Sequence, residues 1–191
     1  NEYADVETDR LTERTPFSGG SGAVERTGVD RALLARATAL AILGGCAAAA
    51  LGWRAELLSP TALGLLAAIA VAGLAYSLPP AALVRRGVGE VTNALLGGTL
   101  LPVYGAAVVG RVSVATVLAV TPFTLLVGCN LLATHWPDRE ADAAVGKRTL
   151  AVRWSPRRLR LAYWLLGGGA AVLTLALTGR ILPVPVVAAQ A

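Results

Sequence analysis

Five apolar runs, each about as long as a bilayer is thick, leave this chain few ways to fold. They are Ala32–Trp53, Pro60–Leu78, Val91–Gly110, Val112–Thr134 and Leu161–Thr178. At a rise of about 1.5 Å per residue, twenty or so residues reach about 30 Å, the depth of the hydrocarbon core. Inside lipid each backbone N–H and C=O needs a partner. A single continuous apolar run supplies those partners only as a helix. The expectation is an all-α, multi-span transmembrane helical bundle with five full spans. Gly179-Arg180 then turns the chain into a partial sixth. Residue 1 already belongs to a motif, the chain holds no Met, and Pro183–Ala191 is apolar without a polar flank. We therefore expect one transmembrane domain over residues 1–191, truncated at both ends.

Charge sets the orientation. Only 15% of residues are charged, against about 25% in soluble domains. The pI near 9.9 and net charge of +5 would suit nucleic acid if the basic residues formed one patch. They sit instead in short loops between apolar runs, which is the positive-inside pattern of a multi-pass cell-membrane protein. With five alternating spans, segments 1–31, 79–90 and 135–160 share one face. That face, with Arg36 at its edge, carries every basic residue except Arg54, Arg111 and Arg180, and every acid except Glu56. It is therefore expected to be cytoplasmic, with one polar site at its mouth. Cys46 and Cys129 lie in apolar runs without metal-ligand spacing and read as packing residues.

The acids at that mouth are spaced. Asp138 and Asp142 are four apart, as are Asn1, Asp5 and Asp9; on a helix each set lines one face. A solvated helix end accounts for either ladder alone. Two such ladders, each at the edge of an apolar segment, suit Mg²⁺, which binds through a few carboxylates plus substrate phosphates. Ser18, Gly19, Gly20 and Ser21 form a loop whose backbone can approach an anion closely, with a flexible linker as the plain alternative. Lys147, Arg148, Arg85 and Arg86 are candidates to hold a diphosphate, or else simple topological anchors. A diphosphate with a long isoprenoid tail fits the layout, head at the mouth and tail among the helices.

With these residues on the page, the chain resembles the UbiA superfamily of intramembrane prenyltransferases over nearly its whole length. Asn1-x-x-x-Asp5-x-x-x-Asp9 is similar to that family's first Asp-rich motif, and Asp138-x-x-x-Asp142 to its second. Ser18-Gly-Gly-Ser-Gly22, Tyr76-Ser with Arg85-Arg86-Gly87-x-Gly89-Glu90, and Gly146-Lys-Arg-Thr-Leu-Ala-Val-Arg153 resemble the branch containing 1,4-dihydroxy-2-naphthoate polyprenyltransferase. The resemblance implies nine membrane helices in a complete member, of which this chain would run from the end of the second into the start of the eighth. It implies Mg²⁺ on Asn1, Asp5, Asp9, Asp138 and Asp142. Catalytic roles fall to Asp5, Asp9, Asp138, Asp142 and Lys147. Substrate contacts fall to Asn1, Ser18, Gly19, Gly20, Ser21, Tyr76, Arg85, Arg86 and Arg148. The partners implied are an isoprenyl diphosphate, an aromatic acceptor and the lipid bilayer, with no nucleic acid.

One position departs from the pattern: Thr134 stands where the second motif commonly has Asn. His135, the only histidine, is read as an interfacial side chain, with contact to the aromatic acceptor as the alternative. Trp136 and Trp154 suit an interfacial aromatic belt. Other acceptors of the superfamily remain open: 4-hydroxybenzoate, homogentisate or a glycerol lipid. A CDP-alcohol phosphotransferase would need Asp-Gly and Ala-Arg pairs between its aspartates, which are missing. A transporter would place its charges nearer mid-bilayer.

Overall fold

Short caps and tight turns separate the apolar runs into helices. The computed structural model describes Thr8, residues 10–12 and residues 27–188. In chain order the elements are α1 (Arg31–Arg54), α2 (Pro60–Ser77), a 3₁₀ turn (Leu83–Arg85), α3 (Gly89–Leu95), a π-helical turn (Leu96–Leu100) and α4 (Leu101–Val109). They continue with α5 (Val114–Ala144), α6 (Leu150–Arg153), α7 (Pro156–Leu177) and α8 (Val184–Ala188). Residues 89–109 run on as one span. Five helices among the described residues are thus long and apolar enough to cross a membrane, as the sequence predicts; α8 is a five-residue helix after them.

Side-chain oxygens cap the starts. Asp30, Ser59, Ser113 and Ser155 accept the first free backbone N–H groups of α1, α2, α5 and α7. Ser113 and Thr116 satisfy one another in a capping box. At one mouth Ser59 Oγ also donates to Ala107 O at 3.4 Å, tying the start of α2 to the end of α4.

α5 is the axis of the bundle, packed along α7 and against the 89–100 segment. Small residues let the backbones close in. A Cβ on Gly98 would stand 2.5 Å from Thr124 Cα, and Thr99 Oγ1 meets Thr124 Oγ1 at 2.8 Å across the same crossing. Cys129 is buried as expected, its thiol donating to Tyr163 O at 3.3 Å. Cys46 corrects the expectation: it is exposed on α1, beside an apolar cavity of about 550 Å³ between α1 and α2. The cause is that α1 packs little against the other described helices, so its small residues have few neighbours.

The sequence reading also ended the fourth span too early. α5 does not stop at Thr134 but continues to Ala144 through Pro137. Hydropathy marks where a chain leaves lipid, not where its helix ends, and Ala, Arg and Glu propagate a helix well in water. At 31 residues the helix is about 46 Å long. That exceeds the depth of the hydrocarbon core, about 30 Å, and Asp138 and Asp142 lie in its last two turns.

Candidate functional site

A helix stop builds the centre of the site. Gly146 has φ +75°, a conformation glycine reaches at no steric cost. Its N–H donates to Ala143 O at 3.1 Å, and the Lys147 N–H donates to Asp142 O at 2.9 Å. This pair of bonds is a Schellman motif, which folds the residue two past the helix end back over its last turn. Such motifs usually close on an apolar contact; here they close on charge. Lys147 Nζ lies 3.3 Å from Asp142 Oδ1. Thr149 Oγ1 donates to Asp142 Oδ2 at 3.4 Å. Asp142 is 3% exposed, Lys147 8% and Thr149 2%. Lys147 is therefore no surface anchor.

Asp138, half-buried, lies one turn earlier on the same face, and His135 three residues before it. Asp138 and Asp142 offer the hard oxygens that Mg²⁺ takes, and one or two carboxylates suffice where phosphates fill the remaining positions. Asp142 keeps acceptor capacity beyond its two contacts, since a carboxylate has about four lone-pair sites. In that respect the residues fit the ion. Among the described residues no three His, Cys, Asp or Glu side chains gather as a metal-holding group. The other expected ligands, Asn1, Asp5 and Asp9, lie outside the described residues, as does the Ser18, Gly19, Gly20 and Ser21 loop.

The 79–90 segment packs onto this stop. Arg85 donates to Val145 O at 3.0 Å and Arg86 to Pro80 O at 2.6 Å. Arg153 Nη1 donates to Gly87 O at 3.3 Å. Gly87 has φ +79°, and a Cβ there would lie 2.2 Å from Arg153 Nη1 and 3.0 Å from Arg148 O. Arg85 and Arg86 thus hold backbone carbonyls while remaining exposed, and Arg148 is exposed beside them. Tyr76 is half-buried near Gly89, its ring 3.5 Å from where a Cβ on that glycine would stand. Thr134 turns its hydroxyl back to Asn130 O at 3.0 Å, so its hydrogen serves its own helix.

Two side chains gain importance that the sequence did not give them. Glu90, at the start of α3, is 4% exposed. Its Oε1 accepts from the Leu150 N–H at 2.5 Å and sits 3.3 Å from His135 Nδ1. One carboxylate so joins three segments: the 87–90 turn, α5 and the start of α6. His135 is not a plain interfacial histidine, since it faces that carboxylate. Trp136 is partly exposed as a belt residue would be, with the Arg139 guanidinium 4.3 Å over its ring. It also lines an apolar cavity of about 500 Å³ between α5 and α7, with Leu132, Leu159, Arg160 and Tyr163.

Residues 1–191, the whole chain, match the UbiA prenyltransferase family. No curated protein and no solved structure matches it.

Proposed function

The chain belongs to the UbiA prenyltransferase family, and from that premise we propose an Mg²⁺-dependent transfer of a polyprenyl group to an aromatic ring. The donor is an isoprenyl diphosphate. The acceptor is 1,4-dihydroxy-2-naphthoate, in menaquinone synthesis, and the site opens on the cytoplasmic face of the cell membrane. One observation carries the proposal: Asp142 is buried with Lys147 and Thr149 one turn from Asp138, at the mouth of an apolar bundle.

In the reaction the bond between the allylic carbon and the diphosphate oxygen breaks, and the diphosphate leaves with the electron pair. A ring carbon then attacks the allylic cation, forming a C–C bond; where that carbon bears the carboxylate, CO2 leaves in place of a proton and its bonding pair restores the aromatic ring. Asp138 and Asp142, with Asn1, Asp5 and Asp9 as the other candidate ligands, would hold Mg²⁺, which when bound would supply positive charge to the departing diphosphate. Lys147 holds Asp142 in place and, with Arg148, Arg85 and Arg86, adds positive charge on the same side. Ser18, Gly19, Gly20 and Ser21 are the candidates to bind the phosphates through backbone N–H groups. Tyr76 borders the acceptor.

The test is pyrophosphate release from an isoprenyl diphosphate by the protein in lipid nanodiscs. Release that needs both Mg²⁺ and 1,4-dihydroxy-2-naphthoate supports the proposal. Release that is indifferent to the aromatic ring, or to Mg²⁺, refutes it.

A further inference from the structure

Glu90 is a carboxylate where the fold needs only one oxygen. Its Oε1 accepts from the Leu150 N–H and lies 3.3 Å from His135 Nδ1. Its Oε2 is buried and has no hydrogen-bond partner among the described residues. Glutamine would serve Leu150 equally well, without the cost of desolvating a charge. A buried ionised acceptor left unsatisfied is costly, and an ionisable group at the start of a membrane span marks a functional site by default.

The surroundings say what donor is missing. His135 reaches Glu90 from the α5 face that carries Asp138 one turn on and Asp142 two turns on. Glu90 therefore stands on the side of the bundle that holds Asp138 and Asp142. The His135 ring beside Oε1 holds the carboxylate in orientation. Carboxylate oxygens accept and cannot donate, so the ligand must bring an O–H or N–H. We infer that Glu90 Oε2 takes a hydrogen bond from a ring hydroxyl of the aromatic acceptor, orienting the ring and raising its electron density for attack. Glu90 is then a substrate-binding residue absent from both acidic ladders, and it selects hydroxylated rings. The inference rests on the aromatic transfer proposed above.

The experiment compares 1,4-dihydroxy-2-naphthoate with its 1,4-dimethoxy counterpart, which keeps the ring and carboxylate but has no hydroxyl to donate. Both are measured as ligands of the full chain in lipid nanodiscs, with an isoprenyl diphosphate bound. For the unaltered protein we expect the dihydroxy compound to bind about 10- to 100-fold more tightly, the span of one hydrogen bond to a charged acceptor. In Glu90→Gln this preference should shrink to about threefold or less, with isoprenyl diphosphate affinity and helix content unchanged. No preference in the unaltered protein overturns the inference, and so does a full preference surviving in Glu90→Gln. Failure of Glu90→Gln to fold overturns it as well, because Oε2 would then be serving the fold. If the unaltered protein prenylates no hydroxylated ring, the proposed function itself falls. If it does so while Glu90→Gln keeps the preference, only the role of Glu90 falls.

Discussion

Replacing Lys147 with Met removes one member of a buried ion pair and leaves the other in place. Nζ and Asp142 Oδ1 are 3.3 Å apart, on side chains 9% and 5% exposed. At an effective dielectric of about 20 their attraction is about 5 kcal/mol before desolvation. Desolvating both ions cancels much of that, yet deleting one partner alone costs about 3–5 kcal/mol, because the remaining charge is uncompensated. The Thr149 hydroxyl stays on Asp142 Oδ2 and offsets about 1 kcal/mol. Lys147→Met should therefore destabilise the protein by about 2–4 kcal/mol. Equilibrium unfolding by SDS in mixed micelles, followed by far-UV circular dichroism, reads this directly. Asp142→Asn and the double variant Asp142→Asn/Lys147→Met complete a cycle, in which the double variant should recover about 2 kcal/mol relative to the summed single changes. If the two changes add to within about 0.5 kcal/mol, the pair contributes nothing and the account of how the helix stop builds the site is wrong.

Asp138→Asn keeps shape and removes charge, so prenyl transfer should fall about a thousandfold, or about 4 kcal/mol in barrier, with unchanged helix content; near-normal Mg²⁺-dependent turnover would refute the role of the second ladder. Asp30→Asn is its control: Asp30 caps α1 by accepting from the Ala32 N–H at 3.2 Å, and Asn caps equally well, so activity and unfolding midpoint should both be unchanged. Gly98→Ala places a Cβ 2.5 Å from Thr124 Cα and should cost about 1–3 kcal/mol by overpacking the α5 crossing, measured by the same unfolding titration. Gly87→Ala adds left-handed strain of about 1–2 kcal/mol to its clash with Arg153, and should lower turnover by shifting the 87–90 turn away from α6.

The sequence made the spans legible because each satisfies its backbone internally, so length and apolarity suffice. The caps at Asp30, Ser59, Ser113 and Ser155 act on residues two or three positions away, a local signal that a count of apolar runs passes over. The continuation of α5 to Ala144 was not legible from hydropathy, which changes at Thr134 although the hydrogen-bond ladder does not. The Asp142–Lys147 contact was nearly readable: a glycine just past a helix end forecasts the Schellman reversal that joins them. Glu90 gave no such local signal. Its partners are 45 and 60 residues away, and the loop motif that it ends gave it no role of its own. His135 went the same way, because a histidine next to a tryptophan at a membrane edge reads as interfacial until its carboxylate partner is in view.

The π-helical turn at Leu96–Leu100 gives the third span two phases. A π turn takes up one more residue than an α turn, which rotates everything on one side of it by about 100° relative to the other. The near half aims Glu90 at His135 and Leu150, while the far half is pinned by Ser59 at Ala107. Each half can therefore be indexed to its own partners without compromise by the other. Loss of a single residue such as Gly97 would merge the halves into one straight helix. Glu90 would then swing about a quarter turn off its partners while the lipid-facing pattern of the far half stayed in register. Such a change would displace the buried carboxylate and leave the lipid-facing half as it is, so the one π turn sets the two halves of the span independently.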